Sequence, residues 1–347
     1  MTDRPEDTLP AASGELSRKS TDAAASTESF AHEGTRDELR NMIMTLNERL
    51  WEKRANWPIV EQWLENFAEG EDDDQLIQLH ALFLLSRFVY FGDQQVRELL
   101  VALFRDIYRY PIVEQIRKGA GDTLDQRLVK NEFFLALTKT RFLGIGNPSE
   151  SGTHLLYLFR QENGLGKSQF ITADEVFKDI GGELALRTPL VNRYVFLDDF
   201  CGSGQQAKDR SKHLLPAIRA AAVRSGTTVR ISYFSLVATV GGLRTVLDEA
   251  GFDDVESVLQ LDETFRCFSP MSRLFRSAPS HVSRELAEDM AGYFGAQLSP
   301  SHPLGYDDGQ LLIGFKHNTP DNTLPIIWSE GTAARDWAPV FRRYSKH

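Results

Sequence analysis

The sequence predicts an α/β protein in which a mainly parallel sheet is preceded by an α-helical region. Three observations carry this. Apolar residues recur three or four apart from about 36 to 140, the spacing of helix faces. After 140 short apolar runs alternate with helical stretches, the pattern of a parallel sheet covered on both faces. One of those runs ends in two carboxylates and a glycine-serine-glycine turn, "YVFLDDFCGSGQQA" at 194–207.

Residues 1–35 are rich in Ala, Ser, Thr, Glu and Asp and nearly free of large apolar groups, so they read as a disordered tail that cannot offset its ordering entropy. The helical region, 36–140, opens with "RDELRNMIMTLNERLWEK", where Leu39, Ile43, Leu46 and Leu50 share a face. "QLIQLHALFLLSRFVYF" and "QQVRELLVALFRDIYRY" repeat the pattern, and Pro111 ends or restarts a helix. The acidic run "EGEDDD" at 69–74 reads as a solvated helix connection, because consecutive carboxylates repel one another.

The third region, 141–347, carries five expected strands: 154–159, 194–197, 229–239, 255–261 and 310–315. Thr172 and Glu175 form a capping box that predicts a helix over "ADEVFKDI", and "GGLRTVLDEAGF" predicts another that opens and closes on glycine. In such sheets ligands bind beyond the carboxyl ends of the strands.

Bulk composition narrows the functions. A 347-residue chain with 41% hydrophobic and 25% charged residues is that of an ordinary globular protein. Its net charge of -10 argues against sequence-blind adhesion to nucleic acid or anionic membrane, though a local basic groove remains compatible. The apolar run at 81–91 is too short to span a bilayer, the N-terminus lacks the apolar core of a secretory signal, and two cysteines, Cys201 and Cys267, make no disulfide framework. A cytoplasmic location is the expectation.

Asp198 and Asp199 stand at the carboxyl end of the expected 194–197 strand. Adjacent carboxylates are expensive to desolvate, so they should face solvent, a metal or hydroxyl groups. Gly202 and Gly204 allow close approach and positive φ, Ser203 adds a hydroxyl, and a helix continuing through "QQAKDRSKHLL" would aim free N–H groups at the same point. Together they make an anion cradle, with a plain strand-turn-helix connection as the bland alternative.

An apolar strand, two acids, an apolar residue and a Gly/Ser/Thr-rich loop resemble the ribose-5-phosphate loop of phosphoribosyltransferases. The resemblance implies that Asp198 and Asp199 hold the ribose hydroxyls and that Gly202, Ser203, Gly204, Gln205 and Gln206 cradle the 5-phosphate. Gln206 departs from the hydroxyl residue usual there. "GIGNPSESGTHLLYLFRQEN", "FLDDFCGSG", "HPLGYDDGQLLIGFKHNTPDNTLPIIW" and the helical front end together resemble the phosphoribosyltransferase-like proteins of bacterial conflict systems, associated with anti-phage defence. That implies a Rossmann-like sheet of the phosphoribosyltransferase type. It also implies phosphoribosyl pyrophosphate or a related nucleotide as ligand, Mg²⁺ bound through the donor rather than directly by the protein, and transfer of phosphoribose to an unidentified acceptor. The contrasting reading is a non-catalytic sensor that passes occupancy to a partner protein through the helical region.

Other motifs are weaker. "NPSESG" at 147–152 is a candidate second anion loop, with Ser151 and Gly152 donating N–H groups and Arg160 or Lys167 supplying charge; a simple connection is the alternative. "FCGSG" also matches the glycine motif of S-adenosylmethionine-dependent methyltransferases, but Asp199 replaces the expected proline and the chain has no Pro-Pro dipeptide. "NGLGKS" lacks the first glycine of a P-loop, since position 161 is Gln161. Asn318, Asn322 and Trp328 suit either base recognition or turn capping, with the structural role favoured, and His317 and His302 read as ordinary loop histidines.

Overall fold

A computed structural model describes residues 32–70, 74–145 and 151–344. The expected tail lies, up to residue 31, outside the described residues, and helix is already established at 32. Helix α1 (32–49) leads to α2 Trp57–Glu65, which Asn56 caps through its side chain to the Ile59 N–H. Then follow α3 Asp74–Ser86, the short strand β1 Val89–Phe91 and α4 Asp93–Ala102. A widened π-type turn, Leu103–Arg109, joins α4 to α5 Tyr110–Gly119 with Pro111 in the first turn of α5, where a missing N–H is harmless. Helix α6 Gln126–Thr138 completes the helical region.

The sheet begins at β2 Thr140–Gly144, followed by α7 Ser151–Glu162. Residues 154–159, expected as a strand, lie inside α7. The run "HLLYLF" buries Leu155, Leu158 and Phe159 and exposes His154 and Tyr157, a helical spacing that a short continuous apolar run conceals. The expected helix over 173–180 is also corrected: after one tight turn the chain forms a hairpin, β3 Phe177–Ile180 and β4 Glu183–Leu186. Gly181 and Gly182, at φ 65° and 89°, make its two-residue loop, and this glycine pair outweighs the capping signal. The Thr172–Glu175 contact does form, with Thr172 N–H donating to Glu175 Oε2 at 2.8 Å.

Strand β5 Arg193–Cys201 runs through the acid pair instead of stopping at Leu197. It is followed by α8 Gln205–Arg224, β6 Arg230–Thr239, α9 Val240–Glu249, β7 Asp254–Leu261, α10 Arg284–Leu298, β8 Ile313–Phe315 and the single turn α11 Pro325–Trp328. The main sheet has the order β2-β5-β6-β7, every pair parallel. Thus the fold is α/β, with a parallel central sheet and an N-terminal helical region. β8, expected as a strand from 310, is shorter and pairs with β1 outside this sheet.

Alternation along β5 covers both faces. Tyr194 and Phe196 pack with α8 and α9, through Leu215, Ile218 and Val246, while Val195 and Leu197 pack with α4 and α7, through Leu100 and Phe159. A third core joins the two ends of the chain. Ile43, Trp63 and Phe83 of the N-terminal helices lie in one cluster with Met290, Phe294, Ile326, Ile327, Trp337 and Phe341. The indole of Trp63 donates to the Ile326 carbonyl at 2.7 Å, so the segment after β8 is held by the first helices. Among the described residues no helix is long and apolar enough to cross a membrane.

Candidate functional site

A cleft of about 480 Å³ lies at the carboxyl end of β5. One wall is the loop after β5 with the first two turns of α8; the other is the segment from Phe315 to Asn322. Asp198 and Asp199 form its floor between them, held by different neighbours. The Tyr233 phenol of β6 donates to Asp198 Oδ2 at 2.7 Å, and the Asp199 N–H donates to Asp198 Oδ1 at 3.0 Å. Asp199 Oδ1 accepts the Phe200 N–H at 2.8 Å, and Asp199 Oδ2 lies 2.5 Å from His317 Nε2. Successive strand residues point apart, which lets two like charges occupy one site.

Beneath the floor the polar groups are locked. Burial, then the neighbouring Asp198 charge, raises the Tyr233 phenol well above its ordinary range, so it stays a donor. Burial also pushes the Cys201 thiol up to about 12, again with a contribution from Asp198. Such a thiol is no nucleophile at neutral pH.

The turn is fixed by contact. Gly204 has φ 78°, the left-handed conformation expected of it. Gly202 does not; it is glycine because a Cβ would lie 2.0 Å from Asn322 Oδ1. Thr239, the N-cap of α9, accepts the Gly242 N–H at 2.8 Å and donates its hydroxyl to the Gly202 carbonyl at 2.6 Å. Ser203 Oγ accepts the Gln205 N–H at 3.3 Å, at the start of α8, whose 20 residues give a full helix dipole directed at the cleft. Gln206 also lines the cleft, while the Gln205 amide turns to Asp209 at 2.7 Å.

In the C-terminal wall the sequence offered Asn318 and Asn322 for base recognition or turn capping, but not His317. His317, expected as an ordinary loop histidine, faces the cleft with Asp199 as partner; the reason is tertiary, since 118 residues separate the two. His302 stays structural, its ring 4.8 Å from that of Tyr306. Asn318 accepts the Thr319 and Tyr344 N–H groups, and Asn322 donates to the Tyr306 carbonyl at 2.9 Å, so both amides cap turns as favoured. The Trp328 indole donates to the Thr323 carbonyl, outside the cleft lining. The 305–310 turn that packs against Asn322 holds three non-glycine residues in the left-handed region, Asp307, Asp308 and Gln310, near φ 50–55°.

These features, an acid pair and a helix-backed glycine turn at the carboxyl end of a parallel strand, lie within a stretch that one family model covers from residue 60 to 343, described as PRTase-CE. The chain belongs to the PRTase-CE family. It is therefore phosphoribosyltransferase-like. None of the curated proteins matches it. Among solved structures, it is similar to the orotate phosphoribosyltransferase from Aeropyrum pernix, at 18% identity over 40% of this chain and 78% of that one. The TM-score is 0.21, a likeness too slight to argue from.

In this PRTase-CE chain the expected second anion loop lies mostly outside the described residues, at 146–150. Its flanks are informative. Gly144 pairs with Leu197 and the Ile145 N–H donates to the Leu197 carbonyl, so the chain leaves β2 beside the acid pair and re-enters helix at Ser151 and Gly152. Arg160, near the other end of α7, lies over the Tyr157 ring, and Lys167 is exposed in a separate turn; neither lines the cleft. The nearby cations are Arg210 and Arg343, the latter joined to Asp321 at 2.9 Å. Among the described residues no three His, Cys, Asp or Glu side chains converge as a metal site. A larger cleft, about 900 Å³, is lined by Phe315, Lys316 and Thr319 on another side of this segment; two of its charges are engaged, Lys316 with Asp93 outside the lining and Arg342 with Glu330. The smaller cleft is the one that holds the acid pair and the glycine turn.

Proposed function

We propose that the Asp198–Asp199 cleft binds phosphoribosyl pyrophosphate or a related nucleotide and transfers phosphoribose to an acceptor. The single observation that supports this most is the acid pair set directly before a helix-backed glycine turn. Asp198 and Asp199 would accept the ribose hydroxyls, and the backbone of Gly202 to Gln206 would receive the 5-phosphate at the start of α8. The end of β2 leads toward Ser151 and Gly152, a suitable place for the pyrophosphate.

Magnesium would enter with the pyrophosphate. Such a hard cation keeps much of its hydration shell and would be held by the donor's own phosphate oxygens rather than directly by the protein. Its contribution would be to neutralise the departing charge. The protein's own part is positioning: loss of pyrophosphate leaves an oxocarbenium-like centre at C1, and carboxylates fixed by Tyr233 and His317 need little reorganisation to surround it. A role in anti-phage defence belongs to the same proposal and rests on the resemblance of the sequence blocks.

The sensor reading has one observation in its favour. The segment that brings His317 and Asn322 to the cleft shares a core with the N-terminal helices, so occupancy has a packed route to a partner protein on that side.

The test is thermal unfolding with Mg²⁺ and either phosphoribosyl pyrophosphate or S-adenosylmethionine, repeated on Asp198→Asn/Asp199→Asn. Ligand at a hundred times its Kd should stabilise by about 2.7 kcal/mol. A shift with the phosphoribosyl donor alone, absent in the variant, supports the proposal. A shift with S-adenosylmethionine instead, or none, overturns it. Pyrophosphate release separates the enzyme from the sensor.

A further inference from the structure

The proposed transfer leaves one proton without a destination. If the acceptor is a neutral N–H or O–H group, forming its bond to C1 makes it acidic, and some base must take that proton. The cleft narrows the choice. The Cys201 thiol and Tyr233 phenol are buried and stay protonated at neutral pH. Asp198 is tied to Tyr233, and Asp321 to Arg343. As a class, a carboxylate is in any case a weaker base than an imidazole.

His317 is the imidazole in the cleft lining, and it is oriented. Nε2 faces Asp199 Oδ2, and the ring lies 5.6 Å from that of Phe315 at an interplanar angle of 36°. The Asp199 side chain is 13% exposed and that of His317 30%, so the imidazole is the more solvent-accessible member of the pair. A carboxylate accepting from Nε2–H fixes the tautomer that leaves Nδ1 as the basic nitrogen.

Building on the phosphoribosyl-donor reading, we infer that His317 is the general base for the acceptor, that Asp199 positions it, and that the acceptor is therefore a neutral N–H or O–H nucleophile. In the step, the acceptor lone pair forms the bond to C1 while the C1–O bond to pyrophosphate breaks, the electron pair leaving with pyrophosphate. The acceptor's proton passes to His317 Nδ1 and from there to water.

The test uses phosphoribosyl pyrophosphate with Mg²⁺, measuring pyrophosphate released with water alone and with a panel of nucleobases. Wild type is compared with His317→Gln, whose amide can still donate to Asp199 but cannot take a proton, and with His317→Gly with and without imidazole. The expected result is an unchanged donor-induced melting shift in His317→Gln with release reduced about 100-fold. Added imidazole should restore part of the rate to His317→Gly but not to His317→Gln. Release within threefold of wild type, or no rescue of His317→Gly by imidazole, would overturn the inference, as would loss of the melting shift together with the rate. A wild-type shift without pyrophosphate release overturns the base assignment and leaves donor binding standing. No wild-type shift overturns the donor reading itself, and the inference with it.

Discussion

The side-chain amide of Asn322 occupies the space that a Cβ on Gly202 would need, with Oδ1 2.0 Å from that position. The amide is buried and tied to the Tyr306 carbonyl, so it has nowhere to retreat. Gly202→Ala should therefore displace the turn, lowering stability by about 1–3 kcal/mol and abolishing the donor-induced melting shift. Asn322→Ala removes the obstructing atoms. In a double-mutant cycle read by urea unfolding, the alanine at 202 should be much less damaging when 322 is also alanine. Additive losses would show that the clash is relieved elsewhere.

This contact also marks the limit of what the sequence could reveal. The β5 turn was legible because its signals are adjacent: an apolar run, two acids, two glycines and a helix start within 14 residues. Strands β6 and β7 and helix α9 were legible for the same reason. Helix α7 was not, because five apolar residues in a row fit a strand and a buried helix equally. His317 carries no local signal, and Asn322 carries only that of an Asn-, Thr- and Pro-rich turn. They reach the cleft only because β8 pairs with β1 and the following residues pack on the N-terminal helices. Half of the candidate site is thus written in local pattern and half in tertiary packing.

Thr239 joins two elements with one hydroxyl, capping α9 at Gly242 and bonding the Gly202 carbonyl. Thr239→Val keeps the shape and removes both bonds. A lost cap and an unsatisfied carbonyl together should reduce stability by about 1–3 kcal/mol, measured by urea unfolding. Because the Gly202 carbonyl belongs to the cradle, the donor-induced melting shift should also shrink. Thr239→Ser, which restores the hydroxyl, should recover most of both; failure to do so would assign the effect to the lost methyl group.

His80 predicts how the fold responds to acid. Its side chain is fully buried, Nδ1 lies 2.8 Å from the Leu76 carbonyl, and Nε2 accepts the Ser283 N–H at 3.1 Å. A proton on Nε2 would set two donors against each other. Burial, opposed by the Leu76 hydrogen bond and reinforced by His281 and His32, holds its pKa below the ordinary 6.5. The sign follows from linkage. Above pH 6.5 the imidazole is neutral in both states and contributes no pH dependence. Below it the unfolded chain binds a proton that the folded chain refuses, so stability falls as pH falls, by at most about 1.4 kcal/mol per pH unit, until the lowered folded pKa is reached. His281, also lowered by burial, adds in the same direction. Urea unfolding at pH 7.5 and 5.5 should show a loss in wild type that shrinks in His80→Gln, which removes the titrating group; an equal loss in both would place the acid sensitivity elsewhere.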